Sequence, residues 1–228
     1  MSVTGPRSPA PRVDPRLGEV LRVLDGYIAL VEELDLCPWA APARRAGAVR
    51  VEVIWDGDEL EDRLVQAAQP WLTDDVMGVG LMVVPDLARG PEPWRHLRDR
   101  VAARLPRFAM AEFHPDAPFG ADTPARLVRL LRRSPDPLLQ LVPHHVLASL
   151  SRPAGIPTAA QQAAILRDPF SVPPAPPDPR DRIAQNNFET TLRVGVDVVE
   201  RRLAELQDDR RAAYARVGIA LPLLDGAR

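Results

Sequence analysis

The chain has 228 residues, 46% of them hydrophobic and 26% charged, with a formal net charge of −2. That size and balance fit one well-filled soluble domain with at most a small appendage. They do not fit a protein that grips nucleic acid through overall positive charge. All 29 basic residues are arginine, so Schiff-base and P-loop lysine chemistry are excluded. Cys37 is the single cysteine, so no internal disulfide forms and the redox compartment is unconstrained, with a reducing cytoplasm as the default expectation. Residues Met1 to Pro15 lack the apolar segment of a signal peptide, and the longest apolar run, Val76 to Pro85, is about half a membrane span. The expectation is a cytoplasmic protein that binds neither membrane nor nucleic acid.

Taken in order, residues 1–13 have little to bury and read as a disordered tail. Asp14-Pro15 is a helix start, and Leu17, Val20, Leu21, Leu24, Ile28 and Val31 give that helix one buried stripe up to about Leu34. Val49 to Trp55 alternates as a half-buried strand. Asp58 and Glu61 form a capping-box-like entry to a helix carrying Leu60, Leu64, Ala67 and Trp71. Val79 to Val84 suits a strand covered on both faces. Trp94, Leu97, Val101 and Leu105 mark a further helix, and Phe108 to Phe113 a third strand.

This order predicts an α/β fold: a leading helix, then β-α-β-α-β forming a small, mainly parallel sheet flanked by helices, with a helical C-terminal part. Sites in such sheets gather at the carboxyl ends of the strands, which here carry Asp56, Asp86, His114 and Asp116. Thr123-Pro124 starts another helix with Leu127, Leu130 and Leu131 inward, and Pro143 opens a short one over His144 to Leu150. A short helix is expected near 158–166. The domain is expected to span 14–170. Five prolines at 171–180 read as a stiff connector, and 181–228 as an amphipathic helical segment that packs on the domain or on a partner, a homodimer included.

Three short motifs stand in order: Leu36-Cys37-Pro38-Trp39-Ala40, then Phe113-His114-Pro115 with Phe119, then Arg133-Ser134-Pro135-Asp136-Pro137. Over roughly residues 20–150 the chain resembles the domain of unknown function 1415 family of uncharacterised bacterial proteins, with a weaker echo at Arg182-Ile183 and Asn186. The departures mark a diverged member. The family pattern has tyrosine at Asp136, an Asn-rich approach where Leu130-Leu131-Arg132 stand, and a histidine and an Arg-Glu pair where Gln140 and Pro143-His144 stand. The resemblance implies no activity.

Among candidate groups, His114 titrates near neutrality and can act as acid or base, with Asp116 to orient it. The plain alternative is a histidine that bonds locally and shapes the Pro115 turn. Arg133, with Ser134 and Phe119 beside it, is the candidate binding group, because a guanidinium grips a carboxylate or phosphate through two donors. Arg126, Arg129 and Arg132 could join it, although for Arg126 and Arg129 a solvated helix face paired with Asp122 and Asp136 is the favoured reading. Cys37 could be a nucleophile, but it follows a helix C-terminus among apolar neighbours, which disfavours a thiolate. The best reading is a small-molecule enzyme or binding protein, with an anionic ligand on Arg133 and acid–base work by His114. The alternatives are a metal- or haem-binding protein using Cys37 and His114, with Asp116 and His144 or His145 as further ligands, and a non-catalytic interaction module using the C-terminal helix. No cofactor is named by any motif, and no pair shows a diagnostic zinc spacing.

Overall fold

Prolines and caps set where the helices begin. In the computed structural model, which describes residues 14–37, 40–120, 122–151 and 179–221, helix α1 (Pro15–Glu33) starts as expected, with the Asp14 carboxylate accepting from the Arg16 N–H at 2.9 Å. A short helix, α2 (Ala40–Arg45), leads into β1 (Val49–Val53). Then follow α3 (Leu60–Ala68) with a 3-10 turn at Gln69–Thr73, β2 (Val79–Val83), α4 (Pro91–Arg104) and β3 (Phe108–Phe113). The Asp58–Glu61 capping box does not form. The chain enters α3 through Glu59 in the left-handed region, at φ 58°, with no side-chain cap.

The remaining elements are α5 (Pro124–Leu131), capped by Thr123, then β4 (Leu138–Pro143), α6 (His144–Ser151), α7 (Pro179–Val194) and α8 (Val196–Val217). Strand β4 corrects the expected topology. The sheet order is β1-β2-β4-β3, with β1 and β2 parallel and β4 antiparallel to both neighbours. The architecture is mixed α/β and not a mainly parallel three-strand sheet. The cause is the short return after β3. The His114 N–H donates to the Arg132 carbonyl at 2.9 Å, so α5 delivers the chain back to the end that β3 has just reached. A strand begun there can only run the opposite way, since a parallel one needs a crossover to the far end.

The sheet is covered on both faces. Met82, Leu139 and Leu141 pack with Leu60, Leu64, Trp94, Leu97 and Val101 of α3 and α4. On the other face Val83 and Leu138 meet Val20, Val23 and Leu24 of α1 and Ala213 and Tyr214 of α8. The long C-terminal helix of the sequence reading is two helices. They part at Gly195, whose φ of 101° no side chain adopts without strain. The buried stripe of α8 lies on α1 and α5 of the same chain. The expectations for 1–13 and for 158–166 lie outside the described residues, as does most of the 171–180 connector, whose last two residues open α7. Among the described residues no helix is long and apolar enough to cross a membrane.

Candidate functional site

β1, β2 and β3 share one direction, so their carboxyl ends do form one rim, as the sequence reading required. Asp86 accepts from the Asp56 N–H at 2.7 Å, and Asp56 in turn accepts from the Ala88 N–H at 3.1 Å. The next residue, Arg89, offers its carbonyl to His114 at 2.9 Å. Because β4 starts at this end, the Arg-Ser-Pro-Asp-Pro corner arrives here too, with Val84 N–H donating to the Pro137 carbonyl at 2.9 Å. The reversed strand therefore brings Asp136 to the rim and scatters none of the expected groups.

His114 is only 1% exposed. Its Nδ1 accepts from the Asp116 N–H at 3.1 Å, which fixes the tautomer so that Nε2–H donates to the Arg89 carbonyl. Burial pushes its pKa down from the usual value, against the opposing pull of the Arg89 carbonyl and of Asp116. The ring is thus neutral and both nitrogens are engaged by main chain. The Asp116 carboxylate stands 3.9 Å from Nδ1, beyond hydrogen-bond reach, so it is the backbone of Asp116 and not its side chain that orients the ring. The histidine pins the strand end to the neighbouring loop, which is the local-bonding alternative. No ring nitrogen is free for acid–base work in this arrangement.

Arg133 answers the contact from the other side. Its Nε donates to the Pro115 carbonyl at 2.9 Å, and its guanidinium lies 5.4 Å from the centre of the Phe119 ring. The Phe-His-Pro and Arg-Ser-Pro motifs are therefore locked together by one main-chain bond, from the His114 N–H to the Arg132 carbonyl, and one side-chain bond, from Arg133 Nε to the Pro115 carbonyl. Ser134 is fully buried, with its hydroxyl donating to the Asp136 carbonyl within the turn, so it shapes the corner and offers no nucleophile. Beside Arg133 opens a groove of about 320 Å³, with Asp116 on the same wall and Glu200, Gln207, Asp208 and Arg211 of α8 opposite. Arg211 is ion-paired with Asp208. Among the described residues no carboxylate lies within 4.0 Å of the Arg133 guanidinium. His114 and Cys37 do not line the groove.

The group that sequence reasoning missed is behind this wall. Asp136, 3% exposed, accepts from Arg210 Nε at 2.5 Å and from the Tyr214 hydroxyl at 2.5 Å, while Arg210 also donates to the Pro85 carbonyl at 2.7 Å. Burial pushes the Asp136 carboxyl up, against the pull of Arg210 and Tyr214. Burial likewise raises the Tyr214 phenol far above its ordinary range. Arg210 and Tyr214 stand one helical turn apart on α8, a pairing visible in the sequence, but nothing there names a partner 74 residues away. The Asp136–Arg126/Arg129 pairing considered above is corrected accordingly. Arg126 pairs with Asp122 at 2.8 Å, and Asp136 belongs to α8.

Cys37 is half-buried at the end of α1, outside the groove, near Tyr27, whose hydroxyl donates to the Leu131 carbonyl at 2.5 Å. Pro38 and Trp39 of its motif lie outside the described residues. The metal set is not assembled. His144 and His145 are exposed at the far end of β4, where the His144 N–H donates to the Arg107 carbonyl at 3.1 Å. From there to the His114 rim is a strand's length, roughly 17 Å at about 3.4 Å per residue. Both lone-pair positions of the His114 ring are occupied or protonated, so its imidazole is not a ligand in this conformation. Among the described residues no group of three or more His, Cys, Asp or Glu side chains is placed to hold a metal ion. No family model matches the chain, and no curated protein or solved structure matches it.

Proposed function

We propose that this protein binds a small anionic molecule in the groove between the His114–Phe119 loop and α8, with Arg133 as the anchoring cation. One observation carries this reading. A guanidinium oriented by the Pro115 carbonyl and the Phe119 ring lines an open groove and has no carboxylate partner among the described residues. Nε is used for positioning, which leaves the terminal nitrogens as a two-donor edge suited to a carboxylate or phosphate oxygen pair. Asp116, Glu200 and Asp208 on the same groove disfavour a large polyanion such as nucleic acid. His114 serves as a positioning residue for the loop. A binding function is therefore supported ahead of acid–base catalysis.

Titration calorimetry with sodium phosphate, acetate and succinate tests the groove. At least one is expected to bind, with R133Q weakening it tenfold or more and R133K only partly restoring it, since a lysine cannot grip two oxygens at once. Equal affinity in R133Q, or no heat from any of the three, would overturn the reading.

A further inference from the structure

Strand β1 is an edge of the sheet. It has β2 on one side and, among the described residues, no strand on the other. Two bonds fix the phase of its ladder. The Ile54 N–H donates to the Val83 carbonyl at 2.9 Å, and the Ala48 carbonyl accepts from the Val79 N–H at 3.1 Å. A strand residue directs both its main-chain groups to one side, and successive residues alternate. Arg50 and Glu52 therefore turn their main chain to β2, and Val49, Val51 and Val53 turn theirs to the open edge. These three valines stay partly exposed, even though the side chains of Val51 and Val53 pack towards α1 and α8. Glu52 is exposed, and among the described residues no basic side chain lies within 4.0 Å of its carboxylate. Arg50 bonds Asp74 through Nε at 2.7 Å, while its Nη1 donates to the Gly47 and Val49 carbonyls at 2.6 and 3.2 Å. The Val49 carbonyl points outward, so this guanidinium is held at the open edge.

An open edge is a template for another strand, and charge on it selects which strand can add. Here the charges match themselves. Arg50 and Glu52 flank Val51 on the face opposite the valines. We infer that β1 is a dimerisation edge, to which a second copy of this chain adds its own β1, antiparallel and on a two-fold axis at Val51. Arg50 then stands across from Glu52 of the second copy, and Glu52 across from Arg50 of the second copy. Val51 faces Val51, and Val49 faces Val53. The valines are the residues whose main chain points outward, so each of their pairs exchanges both main-chain bonds. The charged pairs fall at the positions between, where opposed side chains stand closest. No neighbouring register does as well. A shift by one residue sets outward groups against inward ones, and a shift by two sets Arg50 against Arg50 or Glu52 against Glu52. The edge is five residues long, short against a standard interface, so the dimer is weak and concentration-dependent. It shares no residue with the Arg133 groove.

Sedimentation velocity of the full-length protein, from micromolar to millimolar concentration, tests the edge, with circular dichroism to check the fold of each variant. The mass is expected to rise from that of one chain towards that of two. E52R changes an exposed, unpaired group and sets arginine against arginine, so it should stay a single chain throughout. R50E sets glutamate against glutamate and should do the same. An equimolar mixture of E52R and R50E should dimerise again, because each charge then meets its opposite. R50E also gives up the Asp74 bond, and if it fails to fold, V51P takes its place. The Val51 N–H points away from β2, so proline there keeps the ladder with β2 and removes the central bonds to the second copy. It too should stay a single chain. Wild-type protein that remains a single chain at millimolar concentration would overturn the inference, as would a dimer undiminished in E52R or in V51P. A mixture of folded E52R and R50E that stays monomeric would equally overturn it, since it would exclude this register.

Discussion

Asp136 is the residue on which the most depends. Its carboxylate has two donors and almost no water, and Arg210, also buried, donates both to it and to the Pro85 carbonyl. Removing one member strands the other charge in the interior, which costs about 3–5 kcal/mol. D136A is therefore expected to lower the urea-unfolding free energy by that amount. Y214F, which deletes one bond to a charged acceptor, should lose about 1.5–3 kcal/mol. Replacing Asp136 and Arg210 together by apolar residues should recover most of the D136A loss, because a buried pair as a whole is worth little more than good packing. A double mutant as unstable as D136A would contradict this account of the pair.

His114 gives the pH counterpart. Its folded-state pKa lies below the unfolded value of about 6.5, so the unfolded chain binds the proton first. The stability it contributes is complete above the unfolded value and is lost as pH falls through the folded one. Urea midpoints measured from pH 7 down to pH 5 should therefore fall, and H114Q should flatten that slope while being less stable at pH 7. An unchanged slope in H114Q would place the titration elsewhere.

At the scale of elements, β2 shows how a single small residue sets a packing. A Cβ on Gly80 would stand 2.4 Å from the Trp71 ring and 2.7 Å from the Met77 side chain. The indole of the 3-10 turn thus lies directly on the strand backbone. G80A is expected to cost about 1–3 kcal/mol as an overpacked core substitution, read as a lower melting temperature. Strand β4 teaches a different lesson. Leu138 to Val142 is a short, mostly apolar run broken by Gln140 between Pro137 and Pro143, and periodicity cannot assign so short a run. What makes it a strand is the gap between β2 and β3, both of which it pairs along most of their length.

For the whole molecule, the decisive packing is α8 on α1 and against the sheet. Val199, Leu203, Ala213 and Tyr214 are buried there, and Arg22 and Arg202 tie the two helices by ion pairs to Asp209 and Glu33, both at 2.8 Å. A chain ending at residue 195 would expose Val20, Val23 and Leu24 and leave Asp136 unpaired. It is expected to lose cooperative unfolding and to bind a hydrophobic dye. A truncated chain that still unfolds in one sharp transition would show that α8 is an appendage with a partner of its own.

The order of residues alone decided whatever is local. Asp14-Pro15 and Thr123-Pro124 start helices because cap and proline act within one turn, and β1, β2 and β3 follow from their own apolar patterns. It also singled out the His114 and Arg133 motifs, but not the groove, which Arg133 lines and His114 does not. Chain direction and pairing were not local. The antiparallel β4 follows from where α5 sets the chain down, and the Arg210–Asp136–Tyr214 cluster from a helix folding back across the sheet. Nor could the residues tell a working imidazole from one held by main chain. That difference lies in two carbonyl and amide groups, at Arg89 and Asp116, which only the folded backbone brings to the ring.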